Sequence, residues 1–247
     1  MSIWALADLH LSLSVPDKTM EIFGSEWRNY MLRIKENWED KIRSNDLVLI
    51  AGDISWSMNI KKMKKDFEWL DNLPGKKLII KGNHDYWWSS YSKVKTFLPP
   101  SIEALQNNAY LWNDVAIGGS RLWDSPEYNF DKYINIKENP KASVEKKIQI
   151  DLQEKIFERE LHRLKLSLSQ MRDGASFRIV MTHYPPIGAD LAPSRTSLLL
   201  EDKEIDICVF GHLHSVKPGA LPFGKAGNVK YILTSADYVE FHPVQIL

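Results

Sequence analysis

The chain has 247 residues, of which 44% are hydrophobic and 26% are charged, a composition typical of a globular protein with a sizeable core. Lys plus Arg and Asp plus Glu are equal at 32 each, so the formal net charge is zero and no overall field attracts nucleic acid or an anionic membrane. The single cysteine, Cys208, excludes an internal disulfide and favours a reducing compartment.

The first residues, MSIWALADLH, contain neither a basic region nor a long apolar run, so the sequence predicts no signal peptide. No stretch approaches the ~20 apolar residues that a membrane-spanning helix needs. We therefore expect a cytoplasmic protein that does not cross a membrane.

Seven apolar runs predict buried strands, because each is a continuous series of β-branched and aliphatic residues of strand length. In chain order they are Ile3–Ala7, Leu47–Ala51, Lys77–Ile80, Val115–Gly118, Arg178–Thr182, Ile207–Phe210 and Tyr231–Ser235. Apolar runs without alternation are typical of strands that are covered on both faces.

Helical patterns lie between these strands. They cover Trp27–Ile42, with Ser25 as a candidate N-cap, then Ile60–Leu70, Ser90–Leu98 and about Ala142–Met171. Strand–helix–strand order near the N-terminus predicts βαβ units and a partly parallel sheet, whereas the strand-rich C-terminal third predicts a second sheet. Without a linker or a repeat, the pattern predicts one α/β domain over residues 1–247.

Five of the predicted strands end in side chains that bind metals or transfer protons. These are Asp8 and His10 after the first strand, Asp53 after the second, Asn83, His84 and Asp85 after the third, His183 after the fifth, and His212 and His214 after the sixth. Sites in open α/β sheets gather at the carboxyl ends of strands, so we expect these residues to converge.

Each of these signals alone is also typical of an ordinary turn. Gly52-Asp53 is a common turn pair, and a single Asp or Asn after a strand usually closes a turn or caps a helix. A single His-x-His pair often lies on a strand face without a metal. The occurrence of all five signals in order, each directly after an apolar run, favours a shared site instead.

The order Asp-x-His, Gly-Asp, Gly-Asn-His-Asp, His and Gly-His-x-His resembles that of the calcineurin-like metallophosphoesterases. The likeness extends from Asp8 to His214 and leaves the stretch from about Ser125 to Arg172 uncovered. It implies an α/β (α+β) fold in which two packed mixed β-sheets are flanked by helices, as a four-layer sandwich. It also implies a metal-dependent phosphohydrolase.

The resemblance implies a centre with two divalent or trivalent transition-metal ions. It assigns Asp8, His10 and His214 to one ion, Asn83, His183 and His212 to the other, and Asp53 as the bridge between them. Imidazole and carboxylate ligands suit Mn, Fe or Zn, and the resemblance does not select among these metals.

In the mechanism that the resemblance implies, a hydroxide between the two ions attacks the phosphorus of a phosphomonoester or phosphodiester in line. His84 is not a ligand in this scheme; it stabilises charge on the phosphoryl group or protonates the leaving oxygen. Asp85 would orient the imidazole of His84 and raise its pKa.

Two departures separate this chain from the Ser/Thr protein phosphatases of the superfamily. Those enzymes carry Asp-Arg shortly after Gly-Asp and a Glu after Gly-Asn-His. Here Ile54 and Ser55 follow Asp53, and Asp85 follows His84. The likeness is therefore to a bacterial phosphohydrolase type rather than to a protein phosphatase.

Four residues near the motifs are candidate substrate contacts: Arg121 for a phosphate oxygen, and Tyr86, Trp87 and Trp123 as aromatic walls. Such aromatic residues are also typical of a core around helix starts. The stretch at about 125–172 is predicted as a helical insertion that either caps the metal site or packs outside the sandwich.

We expect a small-molecule phosphoester as the substrate. A nuclease that acts on single strands or ends is the alternative, against which the zero net charge counts. A non-enzymatic protein-binding scaffold on the same fold is a third hypothesis, and it predicts missing ligands, whereas every motif here is intact. No feature of the sequence specifies the substrate or an oligomeric state.

Overall fold

A computed structural model of the protein describes residues 1–135, 146–217, 219–220 and 223–247, and no side chain of residues 146–151 is described. Within these ranges the strands are β1 (Ile3–Ala5), β2 (Leu47–Ile50), β3 (Lys76–Ile79), β4 (Ile102–Ala104), β5 (Tyr110–Trp112), β6 (Val115–Ser120), β7 (Phe177–Thr182), β8 (Ile207–Phe210), β9 (Lys225–Ala226), β10 (Val229–Leu233) and β11 (Val244–Gln245). The α-helices are α1 (Tyr30–Lys41), α2 (Lys64–Asn72), α3 (Tyr91–Lys95), α4 (Lys146–Ser169) and α5 (Arg195–Asp202). None of these described helices is both long and apolar enough to span a membrane.

The strands form two mixed sheets. The first has the order β11-β1-β2-β3-β4, in which β1 to β4 run parallel and β11 lies antiparallel at one edge. The second has the order β5-β6-β7-β8-β10-β9, in which the four central strands are parallel and both edge strands are antiparallel. The parallel strands of each sheet therefore present their carboxyl ends at one edge.

The two sheets pack face to face and are covered on the outside by helices. Leu49 of β2 and Ile179 of β7 belong to one buried cluster between the sheets. Trp38 of α1 packs in a second cluster on the outer face of the first sheet, and Leu164 of α4 packs in a third on the outer face of the second sheet. The result is a four-layer sandwich, and strands covered on both faces explain the continuous apolar runs in the sequence.

All seven predicted strands are present, with ends that differ by at most two residues, and the predicted two mixed sheets flanked by helices are confirmed. The sequence analysis missed β4, β5, β9, β11 and α5. The four missed strands have two or three residues each and lie at sheet edges. Runs that short carry no recognisable periodicity.

The start of the first helix was predicted wrongly. Ser25 begins a short 3-10 turn, Ser25–Trp27, and α1 begins after Asn29, whose φ is 54°. Trp27 is buried in this turn and lies in line with the apolar residues of α1. The spacing of apolar residues along the sequence therefore did not reveal that the helix begins only after Asn29. The predicted long helix corresponds to α4, and residues 142–145 of that prediction lie outside the described residues.

The two parts of the predicted insertion occupy different places. Helix α4 packs on the second sheet, where the Oγ of Ser167 accepts a 2.8 Å hydrogen bond from the backbone N–H of Gly119. The loop before it reaches the segment after β8, through a bridge between Ile134 and Val216. The helix thus covers the sandwich, while the preceding loop lies near the strand ends.

Lys77 in β3 is a charged residue inside the core. Its side chain is fully buried, and its Nζ donates hydrogen bonds to the carbonyl of Leu73 and to Ser101 Oγ. Burial lowers the pKa of Lys77 from 10.5 to about 8, against the opposing effect of the Asp71 charge. Between these two values the unfolded chain binds more protons than the folded one, so Lys77 makes stability rise with pH in this window.

We expect Lys77→Met to remove this rise. The free energy of unfolding of the wild-type protein should increase more between about pH 8 and about pH 10 than that of the variant, as measured by urea titration at both pH values. Lys76→Met, at the neighbouring and partly exposed position of β3, is the control and should behave like the wild type. Equal pH dependence in Lys77→Met and the wild type would contradict this account.

Candidate metal centre

The loops that follow the parallel strands meet where the two sheets join. A parallel bridge between Ala7 and Ser235 connects the end of β1 to the end of β10, and Ala7 N–H donates to Thr234 O at 2.8 Å. This junction brings the loops of the first sheet against those of β7 and β8 in the second sheet. Residues that are far apart in the sequence therefore face one another.

Four of the predicted ligands have left-handed backbone conformations. The φ angles are 59° for Asp8, 45° for His10, 52° for Asp53 and 73° for His212. Such values are uncommon for residues other than glycine and cost roughly 1–3 kcal/mol each. These four are among thirteen non-glycine residues with positive φ in the described ranges, and such strain is often found in residues that a function holds in place.

Glycines allow these loops to approach closely. A Cβ on Gly82 would lie 2.0 Å from Asp53 Oδ1, and a Cβ on Gly211 would lie 2.4 Å from Asp8 Oδ2. Gly52, with φ of 92°, would place a Cβ 2.7 Å from His183 Nδ1. Any side chain at these positions would push the candidate ligands apart.

Asp8, His10 and His214 form the first group of candidate ligands. The Nε2 atoms of His10 and His214 are 3.3 Å apart, and His214 Nε2 lies 3.8 Å from Asp8 Oδ1. All three ligand atoms lie within 4.8 Å of one another. Metal–ligand bonds of about 2.0–2.2 Å place ligand atoms at such separations, so one ion fits between them.

His183, Asn83 and His212 form the second group. Asn83 Oδ1 lies 2.6 Å from His183 Nε2 and 3.1 Å from His212 Nδ1. Asp8, Asp53 and His183 form a further compact set, in which the ligand atoms of the three residues all lie within 4.8 Å of one another.

Asp53 lies between the two groups. Its Oδ1 is 3.6 Å from His183 Nε2, and its Oδ2 is 3.7 Å from His10 Nε2. One carboxylate oxygen therefore faces each group, as the predicted bridging role requires. Asp8 also belongs to both compact sets and has the same capacity.

The hydrogen bonds of His183 determine which of its nitrogens is free. Its Nδ1 is 2.9 Å from the carbonyl of Ala51, which can only accept, so Nδ1 carries the proton. Burial lowers the pKa of His183 to about 3, so the ring is neutral and Nε2 has a lone pair. This lone pair faces the side-chain oxygens of Asn83 and Asp53, and His183 has no hydrogen on Nε2 to donate to them. A cation at this position would accept electron pairs from all three atoms.

Asp8 provides a second test of whether a metal fits. Its Oδ2 accepts a hydrogen bond of 2.9 Å from His212 N–H, but its fully buried Oδ1 has no hydrogen-bond partner among the described residues. An unpaired buried carboxylate oxygen is costly unless it coordinates a metal. Burial also raises the pKa of Asp8 to about 7, with the Asp53 charge acting in the same direction. The residues of both groups thus fit metal ions.

Asp237 is a functional candidate that the sequence analysis missed. Its Oδ1 lies 2.9 Å from His214 Nδ1, and its Oδ2 accepts from Ser215 N–H at 2.9 Å. Burial alone would lower the pKa of His214, but the carboxylates of Asp237 and Asp8 outweigh it and raise that pKa to about 9. Asp237 fixes the ring so that Nε2 points at the first group, as carboxylates do behind metal-binding histidines.

His84 lies beside both groups without joining either. Its backbone N–H donates to Asp53 Oδ1 at 2.8 Å, and its ring centroid is 4.7 Å from Trp56 and 5.8 Å from His10. The imidazole makes no hydrogen bond within the described part of the chain, so both its nitrogens are free to face a substrate.

The contacts of Asp85 differ from those predicted. Its Oδ1 accepts from the N–H groups of Ile54 and Ser55 and from the indole of Trp87, and its Oδ2 accepts from Gly82 N–H at 2.8 Å. Neither oxygen bonds the imidazole of His84, and burial lowers the pKa of His84 where a rise was predicted. Adjacency in the sequence suggested a partner, but the side chain turns inwards. Through these hydrogen bonds Asp85 connects the loop after β3 to the loop after β2 and stabilises both.

The four candidate substrate contacts separate into two kinds. Trp87 was predicted wrongly: it is 1% exposed and packs in the core, with its ring 5.5 Å from Phe67. Tyr86 is 57% exposed next to His84. Trp123 and Arg121 lie at the site, with the Arg121 guanidinium 4.6 Å above the Trp123 ring.

Trp123 lines a cavity of ≈350 Å³ that opens beside the second group. The other walls include Tyr128, Phe130, Pro185, and the ligand candidate His212. The loop before α4 supplies most of this wall, so the part of the predicted insertion at 125–135 does border the site.

Comparison with known proteins shows the family to which this chain is similar. The family model described as calcineurin-like phosphoesterase matches residues 1–216. The Gene 66 protein of Mycobacterium phage D29 is 32% identical over 84 residues, which are 34% of this chain and 40% of that protein. The uncharacterized protein L509 of Acanthamoeba polyphaga mimivirus is 25% identical over 173 residues, 62% of this chain and 60% of that protein. The chain thus matches 40% and 60% of the lengths of these curated relatives.

A solved structure has a similar fold. The phosphopantetheinyl hydrolase (PptH) of Mycobacterium tuberculosis superposes with a TM-score of 0.50 over 100% of this chain and 95% of that chain. Its sequence identity is 12%, so the likeness concerns the fold alone.

Gly82→Ala should disrupt the centre without unfolding the protein. The added Cβ would displace Asp53 from its position between the groups, so we expect fewer metal ions per chain after loading and dialysis, measured by inductively coupled plasma mass spectrometry. Gly174→Ala is the control, because that glycine has a left-handed φ of 70° but open space around it. Metal content equal to the wild type in Gly82→Ala would argue against the role of this close approach.

Asp237→Asn should weaken metal binding at the first group. An amide at this position no longer holds the charge that orients His214, and we expect the metal dissociation constant to rise by about 10- to 100-fold. Isothermal titration with Mn²⁺ measures the change. Asp202→Asn, on the exposed end of α5, is the control. An unchanged affinity in Asp237→Asn would show that His214 does not depend on this carboxylate.

Proposed function

This chain belongs to the calcineurin-like phosphoesterase family of metal-dependent phosphoester hydrolases, and we propose that it hydrolyses a small phosphomonoester or phosphodiester at a two-metal centre. The convergence of nitrogen and oxygen atoms of the kinds that bind metals carries the proposal. His183 Nε2 lies 2.6 Å from Asn83 Oδ1, and the buried Oδ1 of Asp8 lacks a partner among the described residues. Two sets of such atoms share the carboxylate of Asp8, and one oxygen of Asp53 faces each group, which supports two ions side by side.

Metal ions at this centre would lower the pKa of water towards neutrality and offset the charge of the phosphoryl group. Imidazole, carboxylate and amide donors suit Mn, Fe or Zn. Asp8, His10 and His214 would hold one ion, and Asn83, His183 and His212 the other, with Asp53 between them. The remaining chemistry belongs to side chains around the centre.

His84 is proposed as the residue that acts on the leaving group. It is the one imidazole of this cluster that neither coordinates nor bonds a neighbour within the described residues. Placed 5.8 Å from the His10 ring, it would face a phosphoryl group held at the centre. From there its N–H stabilises the charge that develops on the leaving oxygen; donation of a proton would need the imidazolium form, which burial disfavours by lowering the pKa of His84.

The cavity beside His212 is proposed as the place for the leaving group. Its volume of ≈350 Å³ and the rings of Trp123, Tyr128 and Phe130 favour a moiety with a flat face. Asp124 and Asn129 in the same wall suit polar groups on that moiety. Stacking on such rings contributes about 1–3 kcal/mol per ring. Exposed Tyr86, on the other side of His84, could contact the same substrate.

A hydrolysis screen with Mn²⁺ tests the proposal. p-Nitrophenyl phosphate, bis-p-nitrophenyl phosphate and a set of nucleotides distinguish a monoesterase from a diesterase. We expect His84→Ala to keep the wild-type metal content and to lower kcat on the best substrate by ~10² or more. His242→Ala, an exposed histidine away from the centre, should keep wild-type activity.

Two outcomes would contradict these assignments. Loss of metal from His84→Ala would make His84 a ligand rather than a catalytic residue. A wild-type protein that binds two metal ions but hydrolyses none of these esters would overturn the proposed enzyme function.

A further inference from the structure

A second cavity lies next to the candidate metal centre and is separate from the cavity beside His212. It has a volume of ≈120 Å³ and lies between the end of β3, the segment after β4 and helix α4. Lys81, Trp88, Gln106, Arg121, Glu160 and Arg163 are among its lining residues. A cavity of roughly 10–15 Å³ holds one water molecule. A volume of ≈120 Å³ therefore leaves room for a group of several atoms.

The walls of this cavity carry an excess of positive charge. Three cationic side chains, Lys81, Arg121 and Arg163, line it together with a single carboxylate, Glu160. Glu160 is 1% exposed, and its Oε1 accepts from Arg121 at 3.2 Å, from Arg159 at 3.1 Å and from Arg163 at 2.8 Å. One buried carboxylate, which also bonds Arg159 outside the cavity, cannot neutralise the two guanidinium groups and the ammonium group that line it, so the cavity is suited to an anion.

Arg121 has unused hydrogen-bonding capacity there. Among the described residues, the Arg121 side chain donates one hydrogen bond, from Nη2 to Glu160. Its buried Nε has no hydrogen-bond partner there. A guanidinium group has five N–H donors in a planar fork that matches phosphate and carboxylate oxygens. Glu160 therefore positions the Arg121 fork and leaves donors available.

The cavity is bounded by two loops that also carry metal-ligand candidates. Lys81 directly precedes Gly82 and Asn83, and the carbonyl of Arg121 accepts from His183 N–H at 3.1 Å. Lys81 Nζ is held in place by a 2.9 Å hydrogen bond to the carbonyl of Trp88. An anion in the cavity would thus lie close to a phosphoryl group at the metal centre.

Resting on the proposed function, we infer that this cavity binds a second anionic group of the substrate, and that the enzyme acts on phosphoesters that carry a further phosphate besides the one being hydrolysed. Lys81, Arg121 and Arg163 would contact that second phosphate. The aromatic cavity beside His212 would take the uncharged part of the same molecule.

Isothermal titration of the metal-loaded protein with inorganic phosphate tests the cavity itself. We expect two phosphate ions per chain in the wild type, one at the metals and one in the cavity, and a single ion in Arg163→Gln. Arg159→Gln is the matched control, because Arg159 also bonds Glu160 but does not line the cavity, and it should still bind two. Lys81→Met provides an independent variant, with thermal unfolding as the check on folding.

Kinetics tests the consequence for the substrate. We expect kcat/KM for propane-1,3-diol bisphosphate to exceed that for propyl phosphate by about tenfold or more, and Arg163→Gln to reduce this ratio by a similar factor. Equal phosphate stoichiometry in the wild type and both cavity variants, or an unchanged ratio, would overturn the inference. Binding in the cavity without any ester hydrolysis would count against the proposed function alone.

Discussion

The mutual repulsion of lone pairs at the sheet edge is the constraint on which this structure depends. Nitrogen and oxygen atoms of His183, Asn83 and Asp53 face one another with no proton between them, and Asp8 has an unpaired buried oxygen. Without a cation this arrangement is unfavourable, because burial raises the pKa of both Asp8 and Asp53. The rest of the sandwich holds these atoms in place before any metal binds, and the left-handed φ angles are part of that cost.

A second layer of carboxylates provides the rigidity. Asp85 accepts from N–H groups of two loops, and Asp66 accepts from Ser55 Oγ at 2.7 Å and from Ser14 N–H at 3.2 Å. Both oxygens of Asp85 and both oxygens of Asp66 accept hydrogen bonds inside the protein. Asp8 Oδ1 accepts none from the described residues. This difference separates Asp85 and Asp66, which organise the loops, from Asp8, which has an oxygen available to a metal, although all three are equally buried.

The sequence predicted the features that are local, and it failed where a side chain's direction depends on tertiary packing. Apolar runs located the long central strands, and the residues after them placed His10, Asp53 and His183 at one edge. The partner of Asp85 could not be read from its neighbours, since the chain turns it away from His84 towards Ile54. The same turn buries Trp87 while Tyr86 next to it stays exposed.

Asp237 and Glu160 escaped notice for a related reason. Each lies outside the strand-end motifs, and an Asp or Glu on a loop or a basic helix is ordinarily a surface residue. Only the fold brings Asp237 to His214, 23 positions away, and Glu160 to Arg121, 39 positions away. The sequence does carry one signal: Arg163 follows Glu160 at a spacing of three residues, which brings the two side chains together on one face of α4.

Arg121 lies between the candidate metal centre and the two cavities in which we propose that the substrate binds. Its backbone carbonyl holds the His183 loop, its guanidinium stacks on Trp123 at 4.6 Å, and its Nη2 meets Glu160 at 3.2 Å. The metal-ligand set is determined by the strand ends, which the sheets fix. The loop before α4 supplies most of the wall of one cavity, α4 adds Glu160 and Arg163 to the wall of the other, and Arg121 lies between the two cavities. Changes in that segment would therefore reshape the two cavities while the strand ends keep the same candidate ligands in the same places.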